Sequence, residues 1–222
     1  MVPLCTPSYR CLTTLEKQLA TQSNWSLQPS HYVILDNGKN FSTHDLTTEE
    51  SIEPHLDKSH IYVKPPQNLG VSRSWNWFLK NLMREHEFII IHGDDVTFQD
   101  DTFETICHYA AKYHEQHPII IGFDGQWNVF AQANYTLDEI GYYDEKFFPA
   151  YFEDNDYYYR MRLAGYQYLV SQDIKFDHIG SGSLKAFNGQ EKAKHHEQFR
   201  KNKNYYIKKW GGSPGKETKT LS

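Results

Sequence analysis

The stretch Phe88-Ile89-Ile90-Ile91-His92, followed at once by Gly93-Asp94-Asp95, constrains the fold more than any other part of the chain. Four consecutive large apolar residues leave no polar face. A strand built from them must therefore be covered on both sides, as a central strand of a parallel sheet is when helices pack on each face. Tyr32-Val33-Ile34-Leu35 ends the same way, in Asp36-Asn37-Gly38, and Ile61–Lys64 and Pro118–Phe123 are further short strands. Between them lie helical periods. Leu12, Leu15 and Leu19 follow Thr6-Pro7, which reads as an N-cap with proline at the first helical position. Trp75, Phe78, Leu79 and Leu82 share one helical face, and residues 101–113 and 191–210 read as two more helices. Strands alternating with helices predict an α/β domain with a mostly parallel central sheet flanked by helices.

In such sheets ligands bind beyond the carboxyl ends of the strands. Asp36 follows one strand and Asp94 and Asp95 another, so separate strands deliver carboxylates to one edge. Adjacent carboxylates suit a hard divalent cation that completes its shell with water and phosphate oxygens. The ordinary alternative for Asp-Asp is a turn cap beside a solvated side chain. Further on, Glu153, Asp154 and Asp156 precede Arg160 and Arg162. Asp156 and Arg160 have the spacing of an i,i+4 helix pair, worth about 0.2–0.5 kcal/mol. An acid that takes a proton from a hydroxyl must lie close to it, and partial burial raises its pKa into a useful range. His178 stands before Gly180-Ser181-Gly182, a flexible segment. A lone histidine is more often a structural hydrogen-bonding residue than a ligand.

Composition narrows the function. A net charge of -5 argues against a general nucleic-acid binder, whose phosphate contacts need a basic face. Three cysteines without metal-ligand spacing read as reduced thiols. The N-terminal stretch lacks a long apolar run, so neither a signal peptide nor a membrane span is expected, and a cytoplasmic location follows. The basic run from Lys192 to Lys209 reads as a solvated helix face, with approach to a membrane as the alternative. The organisation expected is one domain over residues 1–210, divided into a nucleotide-binding half (about 1–98) and an acceptor half (about 99–210), with a disordered tail over 211–222.

Taken in order, these pieces resemble the inverting glycosyltransferases of the GT-A fold, closest to family 2. "TPSYR" is similar to that family's first-strand nucleotide loop, "LDNGKN" to its second-strand acidic turn, and "NLGVSRSWN" to its Asn-x-Gly segment with a later Asn, here Asn76. "HGDDVTFQDDTFETI" resembles its acidic metal motif. "IGYYDEKFFPAYFEDNDYYYRMRLAGY" is the strongest match, and "HIGSGS" and "NYYIKKWGG" resemble C-terminal features.

The resemblance implies transfer of a hexose-type sugar from a nucleotide-diphosphate donor, a UDP-sugar above all, to a glycan or other hydroxyl acceptor. It implies Asp154 as catalytic base, with Glu153 as the alternative. It implies nucleotide contacts from Thr6, Pro7, Tyr9, Arg10, Asp36, Asn68, Gly70, Arg73, Gly93 and Asp94, with Asp36 on the base. Mn²⁺ or Mg²⁺ would be held by Asp94, Asp95 and His178. One departure stands out: the family's Asp-x-Asp has His92 in the first place if Asp94 is the second, and aligning on Val96 makes Asp95 the ligand instead. The competing expectation is an inactive glycan or nucleotide-sugar binder of the same fold. A pyrophosphorylase would need an N-terminal Gly-rich loop, and a haloacid-type phosphatase an Asp-x-Asp after the first strand; Leu4–Ser8 offers neither.

Overall fold

The computed structural model describes residues 2–38, 59–180 and 187–220. Its main sheet has seven strands in the order β3-β2-β1-β4-β7-β6-β8. These are β1 (Leu4–Ser8), β2 (Tyr32–Asp36), β3 (His60–Val63), β4 (Phe88–His92), β6 (Ile119–Ile121), β7 (Val129–Ala133) and β8 (Leu169–Val170). β5 (Val96–Phe98) pairs antiparallel with β9 (Phe176–His178) in a separate ribbon. The helices are α1 (Leu12–Thr21), α2 (Gly70–Leu82), α3 (Thr102–Tyr113), the single turn α4 (Thr136–Glu139), α5 (Glu153–Leu163) and α6 (Gly189–Trp210). β3, β2, β1 and β4 run parallel, as do β6 and β8, while β7 runs antiparallel to both its neighbours. Mostly parallel is thus the right description.

The central strands are buried on both faces, as their unbroken apolar runs require. Leu4, Tyr32, Ile34, Phe88 and Ile90 point into one core with α1 and α3. Cys5, Val33, Leu35, Ile89 and Ile91 point into the other with α2 and α5. Each such side chain contributes on the order of 1.5–3 kcal/mol by leaving water.

Three expectations are corrected. Thr6-Pro7 does not start a helix, because both residues lie inside β1. A proline N cannot donate to a ladder, and here it need not: β4 pairs with β1 only at Leu4 and Cys5, so beside Pro7 the strand has only β2, at Leu35. The residue before a proline is also driven out of the helical region, which was a usable signal for a strand. Second, residues 211–220 are not a disordered tail. Gly211 closes α6 with φ 78°, and the amides of Thr218 and Lys219 both donate to Trp210 O at 3.0 Å. Third, β7 was not anticipated. Gln132 interrupts its apolar pattern, yet it is fully buried, donating to Thr136 Oγ1 (2.9 Å) and Tyr157 (3.0 Å) and accepting from Tyr143 (2.8 Å). Ser181-Gly182-Ser183, part of the segment read as flexible, and Lys39-Asn40 of the second-strand turn lie outside the described residues.

Candidate active site

A cavity of about 860 Å³ opens at the carboxyl ends of β1, β2 and β4. Its sheet-side wall is the tight turn that joins β4 to β5. Val96 N donates to Gly93 O across that turn, leaving Asp94 and Asp95 at its tip, both lining the cavity. Asp94 accepts the Tyr9 amide N–H at 2.6 Å, which ties it to the loop after β1. Burial, against that hydrogen bond, pushes the Asp94 carboxyl up to about 7.

The β5–β9 register sets His178 opposite Val96, so His178 Nε2 lies 3.3 Å from Asp95 Oδ2. Asn128 orients the ring. Its Nδ2 donates to Asp124 Oδ2 at 2.7 Å, which fixes the amide, and to His178 Nδ1 at 3.1 Å, leaving Nε2 toward Asp95. Sequence reasoning missed Asn128 entirely, since nothing local marks it. His92, beside the acids in sequence, points the other way: it is buried, bonded to Tyr32 (2.7 Å) and Gly93 O (2.8 Å), and burial lowers its pKa to about 4. It is a core residue.

Glu153 and Asp154 line the same cavity from the first turn of α5. They are delivered by an unusual turn. Tyr151 (φ 78°) and Phe152 (φ 74°) are consecutive non-glycine residues in the left-handed region, each costing on the order of 1–3 kcal/mol. Glu153 is buried with its Oε2 unpartnered, and burial raises its carboxyl well above the ordinary range, Asp154's charge adding to the effect. Burial raises the Asp154 carboxyl as well. Gly70 shapes the opposite wall: φ is 69°, and a Cβ there would stand 2.5 Å from Pro149 O. Only glycine fits.

Of the residues assigned to a nucleotide, Pro7, Tyr9, Asn68, Gly70, Gly93 and Asp94 line the cavity. Thr6, Arg10, Asp36 and Arg73 do not. Thr6 is buried within β1. Arg10 donates to Glu191 at 2.6 Å. Asp36 accepts from Tyr62 (2.6 Å) and Gly38 N (3.0 Å), and its neighbour Asn37 takes the lining position. Arg73 faces Glu145 at 3.6 Å in a second cavity of about 670 Å³. Asn76 is structural, linking Tyr143 O and Glu145. Asp94, Asp95 and His178 share the cavity, but among the described residues no three His, Cys, Asp or Glu side chains already converge as a cation cage. Trp127, Tyr158, Lys194 and His195 also line the cavity, and sequence reasoning assigned none of them a role. Among the described residues no helix is long and apolar enough to cross a membrane.

No protein-family profile matches the chain. A stretch of 55 residues is 40% identical to a galactofuranosyl glycosyltransferase of Leishmania donovani, covering 25% of this chain and 13% of that protein. Among solved structures, the mannosyltransferase PcManGT from Pyrobaculum calidifontis, in complex with GDP-Man and Mn²⁺, aligns over 96% of this chain and 66% of its own (TM-score 0.65, 14% identity). S. aureus TarS aligns over 79% of this chain and 36% of its own (TM-score 0.58, 16% identity). Its 1–349 fragment with UDP-GlcNAc aligns over 93% and 67% (TM-score 0.58, 16% identity). The chain spans only part of these proteins. It has the α/β fold of the GT-A glycosyltransferases.

Proposed function

We propose that this protein transfers a hexose-type sugar from a nucleotide-diphosphate donor, a UDP-sugar, to a hydroxyl group of a glycan or similar acceptor, with inversion at the anomeric carbon. One observation carries the reading: a single cavity at the strand ends has Asp94, Asp95 and His178 on one wall and the acid pair Glu153–Asp154 on another. Neighbouring solved structures, one in complex with UDP-GlcNAc and another with GDP-Man and Mn²⁺, support a nucleotide-sugar donor.

Asp94 and Asp95 would hold Mn²⁺ or Mg²⁺, and His178 would join them through Nε2 once that nitrogen gives up the proton it carries while Nδ1 accepts from Asn128. Two carboxylates at a turn tip, with a ring nitrogen 3.3 Å from one of them, supply the hard oxygen and imidazole donors such an ion accepts. Bound there, the ion supplies Lewis-acid neutralisation of the departing diphosphate. The chain's own part is positional and basic. The Tyr9 amide holds Asp94, and Asn128 holds His178. Asp154 accepts the acceptor's hydroxyl proton while the hydroxyl oxygen bonds to the anomeric carbon and the bond to the diphosphate breaks. A glycoside, a nucleoside diphosphate and a protonated Asp154 result.

The test is release of nucleoside diphosphate from a panel of UDP-GlcNAc, UDP-galactose, UDP-galactofuranose and GDP-mannose, with Mn²⁺ and simple glycoside acceptors, and NMR of the product. Metal-dependent transfer with an inverted anomer is expected. A retained anomer defeats the displacement, and absence of turnover across the panel defeats the reading.

A further inference from the structure

The strained turn ahead of Glu153 has a dedicated support that the proposed chemistry leaves unexplained. Helix α6 lies along it. Asn202, 2% exposed, donates through Nδ2 to Ala150 O at 2.8 Å and to Tyr151 O at 3.3 Å. Gln198 Nε2 donates to the Asn202 Oδ1 at 3.3 Å, which fixes the amide with its NH₂ toward the turn. One turn of α6 earlier, His195 Nε2 is hydrogen-bonded to the Tyr151 hydroxyl at 3.0 Å. Phe199 packs its ring 5.2 Å from that of Tyr151 and 5.3 Å from that of Phe152, and Tyr206 lies 5.7 Å from Phe152.

Two successive left-handed non-glycine residues persist only where their surroundings over-determine them. Without α6 the turn would relax toward ordinary backbone angles. The first residues of α5 would then re-aim, and Glu153, whose carboxyl is buried without a partner for Oε2, would turn toward water. The α5 N-cap Phe152 makes no side-chain cap hydrogen bond, and the local bond from Asn155 N to Asp154 Oδ1 (2.7 Å) does not reach the turn itself.

We infer that Asn202 is a positioning residue for the Glu153–Asp154 pair, acting through the carbonyls of Ala150 and Tyr151. The inference rests on the proposed role of that pair. Asn202 itself does not line the cavity and touches no reacting atom.

Three variants test it: Asn202→Leu, which keeps the volume and removes the amide donor; Phe199→Ala, which removes only ring packing from the exposed side; and Leu15→Ala, a destabilising control in the core on the far face of the sheet. Steady-state transfer is measured with the best donor of the panel above and Mn²⁺, well below each variant's unfolding midpoint. Asn202→Leu is expected to lower kcat at least 10-fold while donor KM stays within about 2-fold. Phe199→Ala should lower kcat in the same direction by less, and Leu15→Ala should lower the midpoint and leave kcat unchanged. If Asn202→Leu does not fold, the kcat–KM split of Phe199→Ala decides.

Loss of turnover in Asp154→Asn or Glu153→Gln together with wild-type kcat in Asn202→Leu and Phe199→Ala overturns the inference and leaves the acid pair standing. Wild-type kcat in both amide variants overturns the acid pair and the inference with it.

Discussion

Asp154 and Glu153 sit one residue apart at the start of a helix, both with carboxyls that burial has made weaker acids. A base must be ionised to accept a proton, so turnover should climb as pH rises through a pKa above the ordinary carboxylate range of about 4. Asp154→Asn should lose about 10²–10⁴-fold in kcat with donor affinity nearly constant, as expected for an interaction made mainly in the transition state, and the ascending limb should vanish with it. Glu153→Gln probes the alternative base and also stability. A carboxyl raised on folding stabilises the native state fully below its unfolded pKa of about 4.3, and that contribution is lost as pH rises toward the folded value. The amide has no such loss. Thermal midpoints of Glu153→Gln should therefore gain on the wild type as pH increases from 4 to 8, and a difference independent of pH would contradict an unpaired buried carboxyl.

Among the elements, α5 and α6 depend on each other most. Asp156, fully buried, accepts from Arg160 Nε (3.0 Å), Lys209 Nζ (2.6 Å) and Trp210 Nε1 (2.8 Å). The spacing in sequence shows only the first of these, a pair that on an exposed helix would be worth a few tenths of a kcal/mol. In place, Asp156 is the carboxylate that fastens the last turn of α6 to α5. Asp156→Ala removes one partner of a buried charged cluster, and a loss of about 3 kcal/mol is expected, read from the urea midpoint at unchanged m-value. β7 depends on a second buried network. Gln132→Leu would strand the hydroxyls of Tyr143 and Tyr157, and about 1–3 kcal/mol should be lost by the same measurement. Beyond one contact four positions apart in each, neither network could be read in the sequence, because the other partners lie 11 to 54 positions apart and periodicity registers only local neighbours.

For the whole molecule, the expected behaviour is coupling between cation, nucleotide and fold. A ligand that binds only the native state raises the unfolding midpoint by mass action. UDP with Mn²⁺ should raise it, and EDTA should return it to the unliganded value. The Asp94→Ala/Asp95→Ala variant should lose the Mn²⁺-dependent part while its own midpoint stays near or above the wild type's, since Asp94 is buried and the two acids repel. An undiminished Mn²⁺-dependent shift in that variant would move the cation elsewhere.

The central layers were determined by sequence. Runs such as Phe88–Ile91 cannot satisfy a half-exposed strand, and the helical stripes between them leave few arrangements other than a covered, mostly parallel sheet. That topology in turn forces Asp94 and Asp95 to the edge where Pro7 and Tyr9 also emerge. Glu153 and Asp154 were legible as a pair of acids, though nothing local showed which way they face. The tertiary structure alone decided the rest. It turned Asp36 to Tyr62, paired Arg10 with Glu191 of the cavity lining, and brought Asn128 to His178 and Asn202 to the turn before Glu153. It also folded residues 211–220 back on Trp210. The physical reason is common to all of these. Local propensity and periodicity fix which face of an element is apolar, whereas a polar side chain takes whichever partner the packing brings within hydrogen-bond reach, and that partner is set by elements far away in the chain.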